Sequence, residues 1–342
     1  MRIIVTGGAG FIGSAYVRYV LDHHPADEIV VLDLLTYAGN LANLNDLRDQ
    51  RRLRFVQGDI ADEALVDELV SAADAVVNFA AETHVDRSLL DASAFARTNM
   101  MGLVSLLNAV RRHGRRLAQI STDEVYGDIA PGHFSVESDP LLPRSPYAAA
   151  KAGGELLCRA YAVSYGTDVL ITRGCNAIGP RQYPEKLIPL FITNALRDQP
   201  LPLYGDGLQI RDWLYVDDAA AAIDLVLRRG RSGEVYNIGA DNHRTNFEVV
   251  HSLLRHLAKP EELIVHVPDR PGHDRRYALD STKIKTDLGW APSRDFDRTL
   301  RETIDWYQAH PGWWQAIRDD DASFADYYQS QYGWRLVEAA AS

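Results

Sequence analysis

The stretch Gly7-Gly8-Ala9-Gly10-Phe11-Ile12-Gly13 stands near the start of the chain, directly after the apolar run Ile3–Thr6. The apolar run predicts a buried strand, and Phe11–Asp22 has the periodicity of a helix. Glycine permits a tight turn between the two and lets an anionic ligand approach the backbone. The free N–H groups at the helix N-terminus would then bind phosphate. The stretch therefore predicts a nucleotide-binding turn.

The same alternation of short apolar runs and amphipathic stretches continues through the first half of the chain. The runs lack strict polar alternation, as is typical of strands buried on both faces. The predicted strands are Ile3–Thr6, Glu28–Asp33, Leu53–Gln57, Ala75–Phe79, Leu117–Ser121 and Val169–Arg173, and the predicted helices are Phe11–Asp22, Ala64–Ser71, Phe95–Arg112 and Tyr147–Tyr165. This repeated βα pattern predicts an α/β fold with a Rossmann-like, doubly wound parallel sheet.

Beyond about Gly174 the rhythm changes, and prolines punctuate the sequence. Further predicted elements are a helix at Leu187–Leu196, strands at Trp213–Val216 and Val235–Ile238, and a helix from Asp217 to Arg228. We therefore predict a nucleotide-binding lobe of residues 1–175 with a return segment at 211–240, and a smaller C-terminal lobe of residues 176–210 and 241–342. The aromatic tail from Trp306 onward carries no recognisable chemical motif.

Composition excludes several classes of protein. The 342 residues carry a formal net charge of −11, which argues against non-specific binding to nucleic acid. Cys158 and Cys175 are too few for a disulfide framework or a metal cage, and no carboxylate–histidine spacing indicates a metal site. No apolar run reaches the roughly 18–20 residues that span a bilayer. Because strand-like sequence begins at Arg2, there is no room for a signal peptide, and we expect a cytoplasmic protein.

Asp33 ends the second predicted strand, twenty residues after Gly13. A carboxylate there can bind the adenosine ribose hydroxyls and would repel a 2′-phosphate, which favours NAD over NADP. Asp59 and Ile60 follow the third strand and are candidates to contact the adenine. Asn78-Phe79-Ala80-Ala81 would line the nicotinamide side, although local packing at strand ends would also explain these two groups. The cofactor candidates are thus Gly7, Gly10, Phe11, Ile12, Gly13, Asp33, Asp59, Ile60, Ala80, Ala81, Asn99, Tyr147 and Lys151.

Tyr147 and Lys151 stand four residues apart on a predicted helix, so both side chains lie on one face. A phenol acts as a base near neutral pH only if its pKa is lowered, and a neighbouring ammonium and an oxidised nicotinamide would do this. The alternative is that Tyr147 only packs and Lys151 is solvated.

Asp123 and Glu124 follow Ser121-Thr122 at the carboxyl end of a buried predicted strand. Two carboxylates in different environments can divide the roles of acid and base between them. Elimination of water requires such a pair, one group to remove a proton and one to protonate the leaving hydroxyl. The alternative to a catalytic role is that the two acidic residues only stabilise the N-terminus of a helix.

Together these features resemble the extended short-chain dehydrogenase/reductase superfamily, and Ser121-Thr122-Asp123-Glu124-Val125-Tyr126-Gly127 resembles the signature of the dTDP-glucose 4,6-dehydratases. The resemblance extends from about Arg2 to Tyr307, through Ala81-Glu82-Thr83-His84-Val85-Asp86, Pro184-Glu185-Lys186-Leu187-Ile188-Pro189, Arg211-Asp212-Trp213 and Arg270-Pro271-Gly272-His273. It implies NAD as cofactor, a nucleotide-sugar substrate and a homodimer formed through the helices that contain Tyr147 and Phe95–Arg112.

The resemblance also implies a role for each catalytic residue. Tyr147 would take the C4 hydroxyl proton while hydride passes to NAD, Glu124 would remove the C5 proton, and Asp123 would protonate the departing C6 hydroxyl before hydride returns to C6. Thr122 would hold the C4 oxygen, and Lys151 would bind the nicotinamide ribose. The implied substrate-binding residues, any of which could instead form an ordinary surface ion pair or contact, are Thr83, Asn176, Lys186, Leu187, Pro202, Tyr204, Arg211, Asn246, Arg270 and His273.

Two departures from the family pattern bear on the substrate. Ala177-Ile178 replaces an Asn-Tyr pair, and Thr83 stands where the family usually has Ser. Both leave the acid and base groups intact but alter the expected sugar pocket. The open alternatives are a 4,6-dehydratase for a UDP-, CDP- or GDP-linked sugar, a C4 epimerase, which would give Asp123 and Glu124 no work, and a non-catalytic dinucleotide-sensing protein, which would not need Tyr147 and Lys151.

Overall fold

The computed structural model describes residues 1–47 and 51–341, so residues 48–50 and 342 of the predicted lobes lie outside the described residues. The strands are β1 (Arg2–Thr6), β2 (Glu28–Asp33), β3 (Leu53–Gln57), β4 (Ala75–Asn78), β5 (Arg116–Thr122), β6 (Val169–Gly174), β7 (Asn176–Ile178), β8 (Leu201–Tyr204), β9 (Ile210–Tyr215), β10 (Val235–Ile238), β11 (His243–Thr245) and β12 (Ile264–Val267).

The α-helices are α1 (Phe11–His23), α2 (Glu63–Ser71), α3 (Val85–Leu90), α4 (Ala92–Ala96), α5 (Leu103–His113), α6 (Pro146–Tyr165), α7 (Leu187–Leu196), α8 (Val216–Arg229), α9 (Asn246–Leu257), α10 (Thr282–Leu288), α11 (Phe296–Ala309), α12 (Pro311–Asp320), α13 (Ala322–Tyr328) and α14 (Trp334–Ala341). Segments of π-helix at Arg97–Gly102 and Gln329–Gly333 join α4 to α5 and α13 to α14.

The central sheet has seven parallel strands in the order β10-β6-β5-β4-β1-β2-β3. The order reverses at β1, and the carboxyl ends of β1 and β4 therefore border a crevice, where doubly wound folds bind ligands. The predicted fold class is confirmed.

Both faces of this sheet are buried, which explains its unalternating apolar sequence. Ile3 and Val5 of β1 belong to one core cluster with Tyr16 of α1. Ile4 belongs to a second cluster on the opposite face, together with Leu106 of α5. A third cluster fills the C-terminal part of the chain, where α7, α9 and α11 pack around the short sheets.

Two predicted elements differ from the structure. The predicted helix Phe95–Arg112 contains the π-helical segment Arg97–Gly102. The apolar residues of this stretch keep a helical spacing, and the spacing therefore does not indicate the π-helix. The predicted strand Trp213–Val216 is β9, and it pairs with β7 and β11 in a separate three-stranded sheet. Within the 211–240 segment, α8 packs on α1 and β10 joins the central sheet, whereas β9 does not. The division into two lobes stays a prediction.

No helix within residues 1–47 and 51–341 is long and apolar enough to cross a membrane.

Candidate active site

The glycine-rich turn connects β1 to α1 at the switch in strand order. Gly7 has a φ of 66°, which favours glycine, and a Cβ there would lie 2.6 Å from the backbone nitrogen of Ala80. A Cβ on Gly13 would lie 2.3 Å from the carbonyl oxygen of Gly7. Only glycine therefore fits the two positions, and no side chain of the turn covers the first N–H groups of α1.

Asp33 lies at the end of β2, beside this turn. Its carboxylate accepts hydrogen bonds from the backbone N–H groups of Ala9, at 2.9 Å, and Leu35, at 2.8 Å. Burial raises the pKa of Asp33, and the two N–H donors act in the opposite direction. The carboxylate is thus fixed by the backbone and lines the cleft where a ribose would bind.

A first cleft runs along the carboxyl ends of the central strands. It is lined by every predicted cofactor and catalytic residue except Asn99, namely Gly7, Gly10, Phe11, Ile12, Gly13, Asp33, Asp59, Ile60, Ala80, Ala81, Thr122, Asp123, Glu124, Tyr147 and Lys151, and also by Thr83 and Asn176. The cleft therefore joins the glycine turn to the acidic pair.

Asn99 is buried and does not line this cleft. Its side-chain oxygen accepts a hydrogen bond from the Glu82 N–H at 3.0 Å, and its side-chain nitrogen donates one to the Glu82 carbonyl at 3.2 Å. Asn99 belongs to the π-helical segment Arg97–Gly102, and its hydrogen bonds to Glu82 support the loop that follows β4. Asn78, expected at the nicotinamide side, is likewise buried in a chain of hydrogen bonds with Thr6 and Gln119. Neither asparagine lines the first cleft, and the contact of each with the cofactor stays a prediction.

The acidic pair stands where β5 ends. Thr122 caps the short 3-10 turn Asp123–Tyr126, accepts a hydrogen bond from the Glu124 N–H at 3.3 Å, and donates one to Asp123 at 3.1 Å. Asp123 is only 3% exposed. Burial and the neighbouring charge of Glu124 raise its pKa to about 8, and burial also raises the pKa of Glu124. Burial and the charge of Glu124 thus favour the protonated form of Asp123.

Tyr147 and Lys151 line the cleft on the first two turns of α6, with the helix capped by Ser145. Burial and the charge of Glu124 raise the pKa of Tyr147, and the Thr122 hydroxyl opposes this change. Lys151 donates a hydrogen bond to the carbonyl of Ile120 at 3.0 Å, and burial lowers its pKa to about 8. The pKa of Tyr147 is thus raised rather than lowered, because burial and the charges of Glu124 and Asp123 disfavour the phenolate.

A second cleft opens beside the acidic pair, between the central sheet and the C-terminal part of the chain. All predicted substrate-binding residues except Thr83 line it: Asn176, Lys186, Leu187, Pro202, Tyr204, Arg211, Asn246, Arg270 and His273. Glu124, Asn176 and Lys186 line both clefts. One extended ligand could therefore reach from the second cleft to the acidic pair.

Three cations give the second cleft its charge. Lys186 directly precedes α7, as its N-cap residue, and forms no ion pair with any residue that the structure describes. Arg211 donates hydrogen bonds to the backbone carbonyls of Ile210 and Asp274, at 2.7 and 2.9 Å, and forms no ion pair with a described carboxylate. Arg270 pairs with Asp86 at 3.0 Å, as the ion-pair alternative allows. Lys186 and Arg211 are therefore available for direct ion pairs with an anionic ligand, although carboxylates such as Glu124 lie near both.

The remaining polar groups leave acceptors unused. The side-chain oxygens of Asn176 and Asn246 are buried and have no hydrogen-bond partner within the described part of the chain. His273 is bound through Nδ1 to Asp269 at 2.6 Å. Buried unpaired acceptors are costly, so they favour a ligand that donates hydrogen bonds there.

Sequence reasoning missed several residues of the second cleft. Asp86 and Glu185 stand within motifs that were recognised, and Tyr277 lies four residues after His273, but none was singled out. Tyr332 lies in the aromatic tail, where no sequence signal could find it. Ile178, expected near the sugar, is instead buried in the C-terminal core, so only Ala177 of the altered pair lines a cleft.

The parallel sheet, the glycine turn and the Tyr147/Lys151 pair define a dinucleotide-binding protein of the extended short-chain dehydrogenase/reductase class. The family described as GDP-mannose 4,6 dehydratase matches residues 4–303, and the chain belongs to that family.

Characterised relatives are similar over most of their length. A dTDP-glucose 4,6-dehydratase of Streptomyces niveus is 51% identical over 94% of this chain and 97% of its own. The low-salt glycan biosynthesis protein Agl12 of Haloferax volcanii is 52% identical over 90% of this chain and 98% of its own. The crystal structure of DesIV, a dTDP-glucose 4,6-dehydratase of Streptomyces venezuelae with NAD and dTDP bound, has a TM-score of 0.91 and 51% identity, covering 93% of this chain and all of that one.

Proposed function

We propose that this protein is an NAD-dependent hydro-lyase that converts dTDP-glucose to dTDP-4-keto-6-deoxyglucose. One observation carries the proposal: two adjacent carboxylates, the buried Asp123 and the half-buried Glu124, lie where the dinucleotide cleft meets the cationic second cleft, and Glu124 lines both clefts. Oxidation or epimerisation at C4 would need only Tyr147 and Lys151. A second acid–base pair is required only if a proton is also removed from carbon and a hydroxyl leaves.

The first cleft fits NAD. The glycine turn lines this cleft, the α1 N-terminus offers N–H donors to a pyrophosphate, and Asp33 can accept hydrogen bonds from ribose hydroxyls. Lys151, held by the Ile120 carbonyl, would bind the nicotinamide ribose. Bound NAD would accept hydride from C4, return it to C6, and lower the pKa of Tyr147 through its positive charge.

The chain's own groups would move the protons. Tyr147 takes the C4 hydroxyl proton while Thr122 holds the C4 oxygen. The resulting C4 ketone acidifies C5, Glu124 removes the C5 proton, and the electron pair forms the C5–C6 double bond as the C6 hydroxyl leaves. Asp123, protonated below about pH 8, supplies the proton that converts this hydroxyl to water. When hydride is returned to C6, Glu124 would return its proton to C5, which gives the 4-keto-6-deoxy product.

The second cleft would hold the nucleotide part of the substrate. Lys186 and Arg211 form no ion pair with a described carboxylate and could pair with the diphosphate, and the Nε–H of Arg270 has no partner beyond the pair of this residue with Asp86. Charge-assisted bonds of this kind fix a substrate's position as well as its affinity. His273 and the unused acceptor of Asn246 lie in the same cleft.

The test is incubation of purified protein and NAD with dTDP-glucose, followed by mass spectrometry. Loss of one water without net NADH supports the proposal. UDP-, CDP- and GDP-linked hexoses are assayed in parallel, because Ala177 and Thr83 both line the first cleft. Turnover of one of these instead of dTDP-glucose would keep the reaction and change the substrate, whereas altered configuration at constant mass would show an epimerase.

The protein would act as a homodimer in the cytoplasm. Leu156 and Val163 of α6 stand seven residues apart, on one helical face, and both are exposed, as is Met101 beside α5. Cys158 and Cys175 are free and buried, as is usual in a reducing compartment. Light scattering of the wild type and of Leu156→Glu tests the dimer, and cell fractionation tests the location.

A further inference from the structure

The aromatic tail packs against the wall of the second cleft, although it carries no chemical motif. Gln331 is 8% exposed, and its side-chain nitrogen donates a hydrogen bond to the hydroxyl of Tyr204 at 2.8 Å. The neighbouring ring of Tyr332 lines the cleft and stacks on Tyr204, with centroids 6.0 Å apart and planes at 26°. The tail therefore contacts a predicted nucleotide-binding side chain directly.

The Tyr204 hydroxyl is held from two sides. It accepts the hydrogen bond of Gln331 and donates one to Asp86 at 3.1 Å. A phenol has a single hydrogen to donate, and here that hydrogen is used by the protein. Tyr204 can therefore offer a ligand its ring, but it cannot donate a hydrogen bond unless the contact with Asp86 breaks.

Gln331 is itself fixed in place by the segment around it. Arg335 donates hydrogen bonds to the backbone carbonyls of Gln331 and of Pro268, and its guanidinium lies 5.4 Å from the Tyr204 ring centroid. The side-chain amide of Gln331 thus approaches Tyr204 from a braced backbone, and it has little freedom to turn away.

We propose that Gln331 is a positioning residue for the nucleotide, because it fixes the Tyr204 ring against which the base of the substrate binds. This inference rests on the proposed function. It assigns the aromatic tail a part in substrate binding, through Tyr204, and none in the chemistry at the sugar.

The test compares Gln331→Leu, which keeps the size but loses the amide, with Gln329→Leu in the same segment, where the side chain is exposed. Loss of one buried hydrogen bond should raise the KM for dTDP-glucose and the dissociation constant of dTDP about fivefold to tenfold. The kcat and the affinity for NAD should not change, and Gln329→Leu should behave as wild type. An unchanged KM in a folded Gln331→Leu protein would overturn the inference.

Tyr204→Phe removes the hydrogen bond from Gln331 together with the one to Asp86, and it also serves if Gln331→Leu fails to fold. If Gln331 acts through the Tyr204 hydroxyl, the double variant should bind dTDP no more weakly than Tyr204→Phe alone. Additive losses would instead show a general packing role and refute positioning. The wild type is measured first. If it fails to bind dTDP or to release water, the proposed function itself is refuted. If it does both, the results for the variants test the role of Gln331 alone.

Discussion

Raising the pH through about 8 should slow elimination of water, because Asp123 then loses the proton that it must donate. Burial and the charge of Glu124 raise its pKa from 3.8 to about 8. A group with this pKa is about 90% protonated at pH 7 and about 10% protonated at pH 9. The elimination rate should therefore fall about tenfold between pH 7 and pH 9.

Single-turnover rapid quench with mass spectrometry measures elimination, while near-ultraviolet absorbance of the reduced cofactor follows oxidation at C4. Resolving the two steps matters because burial also lowers the pKa of Lys151 to about 8. Asp123→Asn should slow elimination by roughly 10²- to 10⁴-fold and abolish its alkaline decline. If the alkaline decline of the elimination step persists in Asp123→Asn, or is absent from the wild type, the assignment of Asp123 as the acid is wrong.

Three further predictions concern the neighbouring groups. Tyr147→Phe should reduce turnover at least 100-fold with an unchanged unfolding temperature, and near-normal turnover would exclude it as the C4 base. Glu124→Gln should oxidise C4 and then stall, leaving reduced cofactor visible in the near ultraviolet; normal release of water would contradict its role. Asp33→Ala should weaken NAD binding, measured by calorimetry, about tenfold, because an acceptor for the ribose hydroxyls is lost. The variant should also discriminate less strongly between NAD and NADP. Equal affinity for NAD before and after the change would refute the ribose contact.

The central sheet was predictable because its strands are buried on both faces and so form unbroken apolar runs. Short strands outside it gave weaker signals. β9 pairs with β7 and β11 through contacts between segments far apart in the sequence, which no local pattern encodes. The π-helical segment Arg97–Gly102 was also hidden, because one extra residue per turn hardly disturbs a helical periodicity.

Site residues were predictable where a motif links residue type to chemistry, as for Gly7, Asp123 and Tyr147. Protonation and pairing were not, because they depend on what folding brings together. The pKa of Tyr147 is raised by burial and by Glu124, and Arg270 is paired with an Asp86 that is 184 residues away. Tyr332 reaches the second cleft only through the packing of the tail.

The most direct test of the central claim uses dTDP-glucose deuterated at C4, incubated with the purified protein and NAD, with the product examined by NMR and mass spectrometry. The account predicts a product that has lost one water, carries a C4 ketone and retains the deuterium at C6, with no net NADH. Deuterium that remains at C4, or a product of unchanged mass, would contradict dehydration by oxidation, elimination and return of hydride.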